Sequence, residues 1–247
     1  MSGAGGGYDD ARRGGGARIA GGHGQGGQEI GGGFEATHAT GNADETPHQP
    51  ERFEFDAESE AALDEIVKRY PPGRQASAVI PALYLVQRQM GRQTGSAWVP
   101  RIAMDVVAQR LGMAPIRVYE VATFYLMFNT KPIGRYHLQV CGTTPCWLRG
   151  SEEVLRACKD AGRLKGYGDT SEDGMFTLTE VECLGGCVNA PLLQVDDDYY
   201  EDLDYDRTVA LVEALRRGER PQPGSTTGRQ TSAPAGGPLT LIDVPGE

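Results

Sequence analysis

The sequence has no run of 18 consecutive apolar residues, so by length alone it offers no membrane-spanning helix. Its first residues lack the apolar segment of a secretory signal, and Asp9, Asp10 and Glu29 argue against a mitochondrial transit peptide. Basic residues are also scarce, since the chain has 24 Lys and Arg but 34 Asp and Glu. The sequence therefore predicts a protein of a reducing compartment, with no nucleic-acid partner and no direct membrane insertion.

A phosphate-binding loop in the required strand-to-helix context is missing as well. Gly22–Gly27 matches G-x-G-x-x-G, but 16 of the 35 glycines lie within residues 1–50, and no predicted strand precedes the match. No general acid or base is indicated either, so no catalytic residue is assigned. We therefore expect no nucleotide cofactor to be bound by this chain itself.

Composition divides the chain into four segments. Residues 1–50 form a Gly-rich leader with too little apolar surface to fold, and we expect it to be disordered. Residues 51–133 are nearly neutral, whereas residues 134–220 hold 10 basic and 17 acidic side chains. A Pro/Gly-rich tail covers residues 221–247.

Hydrophobic periodicity predicts four short helices in the second segment, the first ending at Pro71-Pro72-Gly73. The other three are expected over 78–90, 100–111 and 115–128, with Gly91 and Gly112 at the ends of two of them. After Gly134 the pattern changes to strands over 136–140 and 176–182, a hairpin of 192–195 with 199–201, and helices over 147–162 and 206–217. The predicted fold class is α+β: a helical subdomain followed by a small α/β sandwich.

Four of the five cysteines form two close pairs, Cys141-x4-Cys146 and Cys183-x3-Cys187. Each pair begins where a predicted strand ends, so two loops could bring four thiolates around one centre. Small or turn-forming residues in both loops would let backbone N–H groups point at the sulfurs. This spacing favours a [2Fe–2S] cluster over zinc, which usually prefers C-x2-C, and over a C-x-x-C redox centre or four unrelated thiols.

At these residues the sequence resembles a known family, the 24 kDa-type (E-type) [2Fe–2S] subunit of respiratory NADH–quinone oxidoreductase, complex I. The resemblance extends over about residues 53–220. It is carried by Val121-Ala122-Thr123-Phe124-Tyr125, Gly134-Arg135-Tyr136-His137-Leu138-Gln139-Val140-Cys141, Thr144-Pro145-Cys146, Glu182-Cys183-Leu184-Gly185-Gly186-Cys187 and Asn189-Ala190-Pro191.

The resemblance implies a thioredoxin-like ferredoxin domain over residues 134–220 with Cys141, Cys146, Cys183 and Cys187 as ligands of one [2Fe–2S] cluster. It further implies a one-electron carrier that exchanges an electron with the FMN of a partner flavoprotein, among other peripheral-arm subunits. The chain would then be cytoplasmic, held at the inner face of the bacterial cell membrane by the complex. Alternatives are the equivalent subunit of an NAD-reducing hydrogenase or NAD-linked formate dehydrogenase, or a zinc-stabilised interaction module.

The remaining candidates near this motif have simpler interpretations. Cys158 shares a helix face with apolar residues and is expected to be a buried structural thiol. His137 would be a Rieske-type ligand only if the four cysteines did not already satisfy the cluster. Trp147 is expected to pack at a helix start, and the seven carboxylates between Asp196 and Asp206 to form a solvated turn.

Overall fold

A computed structural model describes residues 49–234, 236–237 and 240 of the chain. The predicted disorder of the leader and the match at Gly22–Gly27 lie outside these residues. Within the described part, no helix has both the length and the apolar character that crossing a membrane requires.

The N-terminal half is helical, as predicted. The helices are α1 (Ala57–Val67), α2 (Val79–Thr94), α3 (Arg101–Leu111) and α4 (Pro115–Phe124), with a 3-10 turn over Gln75–Ala78 before α2. Eighteen buried residues between Phe53 and Phe128 form one hydrophobic core among them.

Three of the predicted helix ends are wrong. Helix α1 ends at Val67, before the prolines expected to stop it. Helix α2 runs through Gly91 and ends at Gly95, whose φ of 79° gives the left-handed cap. Helix α4 ends at Phe124, four residues early, because Tyr125 has an extended backbone. Among the aromatic residues at this end, Phe124 and Tyr125 are exposed, whereas Phe128 is buried.

The C-terminal half, as far as it is described, contains a mixed sheet and three helices. Its elements are β1 (Tyr136–Cys141), α5 (Thr144–Leu148), α6 (Ser151–Gly162), β2 (Phe176–Val181), β3 (Leu193–Val195), β4 (Asp198–Glu201), α7 (Tyr205–Arg216) and β5 (Gly224–Ser225). The single helix predicted over 147–162 is in fact two, because Gly150 has a φ of 101° that no continuing helix allows.

The sheet order is β2-β1-β3-β4-β5. Strand β1 is parallel to β2, with Cys141 opposite Val181, and antiparallel to β3. The predicted hairpin is confirmed as the antiparallel pair β3 and β4. Leu138, Val140 and their neighbours on one face of the sheet pack with residues of α6 and α7 in a second hydrophobic core.

The opposite face of β1 carries His137, Gln139 and Cys141. His137 is buried, and its Nε2 lies 2.8 Å from the Thr179 hydroxyl oxygen on β2. Burial lowers the pKa of His137 from 6.5 to about 4. Its imidazole is therefore neutral at pH 7 and held by the sheet.

This burial predicts a pH dependence of stability. The folded protein binds fewer protons at His137 than the unfolded chain, so the stabilisation is complete above about pH 6.5 and is lost as pH falls toward about 4. We expect the wild type to lose on the order of 2 kcal/mol more than His137→Gln between about pH 7 and pH 5, because glutamine keeps a polar partner for Thr179 without titrating. Urea unfolding curves at several pH values measure the difference, and parallel curves for the two proteins would contradict it.

Candidate functional site

The structure places the four predicted ligands at one edge of the sheet. Cys141 is the last residue of β1, and Cys146 lies in the short helix α5 that follows. Cys183 comes two residues after β2, and Cys187 opens a 3-10 turn over Cys187–Asn189. Because β1 and β2 are parallel neighbours in register, both loops leave the same end of the sheet.

Contacts between the two loops join the cysteine pairs. The Cys141 thiol donates to the carbonyl oxygen of Glu182 at 3.1 Å, directly before Cys183. The Sγ atoms of Cys183 and Cys187 lie 3.9 Å apart. Two thiolates on one tetrahedral metal are about 3.7 Å apart when each metal–sulfur bond is about 2.3 Å, so this spacing suits one iron of a cluster.

The two pairs differ in burial. Cys141 and Cys146 are buried in a small cluster with Ala190 and Leu192, whereas Cys183 and Cys187 are exposed. Among the described residues, no group of three or more Cys, His, Asp and Glu side chains has the spacing of a single-ion site. The four cysteines form two thiol pairs, one inside and one at the surface, which fits a cluster with two iron atoms.

Burial and hydrogen bonds together set the pKa values of the inner pair. Burial opposes ionisation of Cys141, yet donation from the Thr143 hydroxyl and from the backbone N–H groups of Leu184 and Thr143 lowers its pKa. Burial and the neighbouring Cys141 thiol raise the pKa of Cys146 to about 12. The Leu184 N–H belongs to the second loop, so both loops donate hydrogen bonds that stabilise a negative charge on the Cys141 sulfur.

The sequence predicts that small residues in both loops let backbone N–H groups donate to the cysteine sulfurs. The glycines of the second loop mainly allow its tight turns. Gly185 has a φ of 84°, a conformation that side chains rarely adopt. A Cβ on Gly186 would lie 2.9 Å from a Leu192 methyl carbon, so this loop passes close to the inner cluster. The donors to Cys141 are Thr143 and Leu184, and sequence reasoning missed Leu184 because only its main chain takes part.

Cys158 lies apart from the four cysteines. It belongs to the core between α6 and the sheet, and full burial raises its pKa to about 12. A neutral thiol in this position agrees with the predicted structural role. His137, at the far end of β1 from Cys141, is engaged with Thr179.

One prediction around the site is wrong and a second is only partly right. Trp147 does not pack at a helix start: its ring is exposed and its Nε1 donates to Glu152. The predicted solvated turn is right for Asp197 and Asp206, which are exposed, but arginines from other segments shield two further carboxylates. Asp196 is half-buried and pairs with Arg220, and Asp202 is nearly buried against Arg229.

Comparisons with known proteins identify the family of this chain. The thioredoxin-like [2Fe–2S] ferredoxin family matches residues 63–216. The E subunit of NADH-quinone oxidoreductase from Rickettsia conorii is 49% identical over 164 residues, 66% of this chain and 95% of the relative. The same-named protein of Rickettsia bellii is 48% identical over 164 residues, with the same shares covered.

Similarity to solved structures is looser. An NAD+-reducing [NiFe]-hydrogenase in the air-oxidized state aligns with a TM-score of 0.48 and 19% identity, over 57% of this chain and 23% of the hydrogenase chain. A thioredoxin-like [2Fe–2S] ferredoxin from Aquifex aeolicus aligns with a TM-score of 0.29 and 22% identity, over 38% of this chain and 97% of the ferredoxin. The family match covers more than half of the chain, which therefore belongs to the thioredoxin-like [2Fe–2S] ferredoxin family.

Proposed function

We propose that this chain is the [2Fe–2S] electron-transfer subunit of an NADH–quinone oxidoreductase, with Cys141, Cys146, Cys183 and Cys187 as the cluster ligands. The observation that carries the proposal is the meeting of two cysteine pairs at the ends of parallel neighbours β1 and β2. The near-complete coverage of the Rickettsia relatives, at 49% identity to that of Rickettsia conorii, supports it. Within the assembled enzyme, NADH and FMN belong to a partner flavoprotein.

A [2Fe–2S] cluster supplies reversible one-electron chemistry when bound. The residues of this chain hold it, shield it and set the charge around it. Cys141 and Cys146 lie in the protein interior, where Thr143 and Leu184 donate to the Cys141 sulfur. Such donors favour negative charge on sulfur and thereby favour addition of an electron.

The outer pair offers the route by which electrons enter or leave. Cys183 and Cys187 are exposed, and Val188, directly after Cys187, is 67% exposed. In α5, Leu148 lies two residues after Cys146 and is 70% exposed. Exposed apolar side chains this close to ligands in the sequence suit a surface from which a partner excludes water. We place the face that exchanges electrons with the flavoprotein here.

The helical half offers a second surface for assembly. At the end of α4, Phe124 is 77% exposed and Leu126 is 60% exposed, beside the partly exposed Tyr125. Exposed aromatic and aliphatic side chains grouped in this way are typical of an interface core. We propose that this surface is buried against the flavoprotein, which holds the chain at the inner face of the cell membrane through the complex.

The ligand assignment predicts the effect of each cysteine variant. We expect cluster content to fall sharply in each of the single variants Cys141→Ala, Cys146→Ala, Cys183→Ala and Cys187→Ala. The three remaining thiolates leave one iron with only three of its four ligands. Cys158→Ala is the matched control, since its buried thiol lies in another core. Iron and sulfide analysis with EPR after reduction measures the result.

Two outcomes would contradict the assignment. One is a bleached Cys158→Ala protein beside an intact variant at one of the four ligands. The other is a colourless wild type that binds zinc, since zinc thiolates do not absorb in the visible range. A red-brown wild type with a [2Fe–2S] EPR signal supports the proposal.

The assembly surface predicts the behaviour of two further variants. Phe124→Glu with Leu126→Glu should weaken co-purification with the flavoprotein by about tenfold or more, because charge replaces apolar contact area. Ala210→Glu, at an exposed position of α7, adds a charge elsewhere and should leave the complex intact.

Deletion of residues 1–48 should also leave the complex intact, because the leader has few apolar side chains. Gln49 is retained, since its side chain accepts from the backbone N–H of Arg101 at the start of α3. Loss of the complex on this deletion alone would show that the leader, not α4, carries the contact.

A further inference from the structure

The tail that follows α7 folds back onto the sheet. We call residues 221–234 the C-terminal strap. Its first part lies beside β4, where the Tyr200 hydroxyl donates to the Pro221 carbonyl at 2.9 Å and β5 pairs parallel to β4. The strap begins beyond residue 216, where the family match ends. Composition alone indicates only a Pro/Gly-rich tail.

Arg229 connects the strap to two other parts of the fold. Its Nε and Nη2 donate to the two carboxylate oxygens of Asp202, at 3.0 and 2.8 Å. The side chains of Arg229 and Asp202 are only 11% and 12% exposed. Nη2 also donates to the Val188 carbonyl at 3.0 Å and to the Asn189 side-chain oxygen. The guanidinium thus joins the end of β4 to the two residues directly after Cys187.

Asn189 provides a second link between the same segments. Its side-chain amide donates to the Thr231 carbonyl at 2.8 Å and to the Glu201 carboxylate. Its own carbonyl accepts from the Asp202 N–H at 2.8 Å. Asn189 is buried, so these bonds are shielded from water. The 3-10 turn that begins at Cys187 is therefore fixed from both the strap and β4.

The second ligand loop needs such support because it packs little apolar surface. From Glu182 to Val188, only Leu184 and Gly186 are even partly buried, and Asn189 is the first buried residue after β2. In the first loop, by contrast, both cysteines are buried. Apolar packing positions Cys141 and Cys146, whereas hydrogen bonds position Cys187.

We propose that Arg229 is a positioning residue for the second ligand loop, through which the C-terminal strap holds Cys187 in the geometry that binds iron. The inference rests on the ligand assignment proposed above. A planar guanidinium suits this position because it forks onto one carboxylate while still donating to a carbonyl, which a lysine ammonium does not reproduce.

The test compares two arginines with the same kind of bonding. Arg216 pairs with Asp173 and donates to the carbonyls of Ala161 and Gly162 at the end of α6, away from the ligand loops. Arg229→Ala should release iron to a chelator about tenfold faster than wild type or more, the usual scale for losing a residue that orients a metal ligand. It should also shift or broaden the EPR signal of the reduced cluster.

Arg216→Ala should leave iron release and EPR near wild type even where it lowers thermal stability. Arg229→Lys keeps the charge and part of the bonding, and its release rate should fall between those of wild type and Arg229→Ala. Release and EPR of Arg229→Ala within about twofold of wild type would overturn the proposal. An equal effect of Arg216→Ala would overturn it too, since the effect would then be general destabilisation.

A second pair of variants covers the case in which Arg229→Ala does not fold. All buried residues of the three hydrophobic cores precede residue 216, so chains ending after Pro223 or after Pro234 keep every one of them. The chain ending after Pro223 lacks Arg229 and Thr231 and should behave as Arg229→Ala. The chain ending after Pro234 retains both and should behave as wild type. Equal rates of iron release from the two truncated chains would contradict the proposed role of the C-terminal strap.

Hydrogen exchange separates failure of this inference from failure of the proposed function. In the full chain freed of its cluster, amides of residues 183–190 should exchange faster in Arg229→Ala than in wild type, because the strap acts whether or not iron is bound. A wild type without a [2Fe–2S] cluster would refute the proposed function, and this comparison would still decide the strap's part. Unchanged exchange in this loop would refute the strap alone.

Discussion

The parallel pairing of β1 and β2 is the constraint on which the rest of the site depends. In a parallel pair the carboxyl ends of both strands lie at one edge, so residues far apart in sequence leave the sheet together. Cys141 opposite Val181 brings the loop after β1 to the loop after β2. A one-residue slip would turn Cys141 to the other face and separate the pairs. Burial of Leu138 and Val140 against the helices opposes that slip.

Two different forces then position the two cysteine pairs. The inner pair lies among apolar neighbours, where packing fixes the side chains and donors from Thr143 and Leu184 compensate the cost of burying a thiolate. The outer pair must stay near the surface if electrons are to pass to a partner. Polar contacts replace packing there, and Arg229 with Asp202 supplies the most buried of them.

Most of the carboxylates between Asp196 and Asp206 are paired with arginines within the fold. Arg220 pairs with Asp196 and Asp198, Arg88 with Asp197, and Arg229 with Asp202. Exposed pairs of this kind contribute little stability, whereas the shielded Arg229–Asp202 pair joins separate segments. The carboxylates therefore serve largely to connect the hairpin to α2, to the chain after α7 and to the strap.

The sequence by itself determined the order of most helices and strands, because most elements carry their own apolar period. Strand β5 has no apolar residue and was not predicted. It also determined the four candidate ligands, since cysteine spacing and the glycines beside it are local features. Local pattern failed at several element ends, because a glycine is compatible both with a helix end and with a continuing helix. Gly91 reads as a helix end, yet α2 continues to Gly95, and one predicted helix became α5 and α6 at Gly150.

Only the tertiary structure decided which cysteines are buried, which carboxylates are paired and what the tail does. Arg229 lies 42 residues after Cys187 in a segment without hydrophobic periodicity, so nothing local connects the two. Their link consists of hydrogen bonds to a carbonyl, an amide and a carboxylate. Such bonds produce no periodic pattern in a sequence, because their partners are determined by which distant segments the fold brings together.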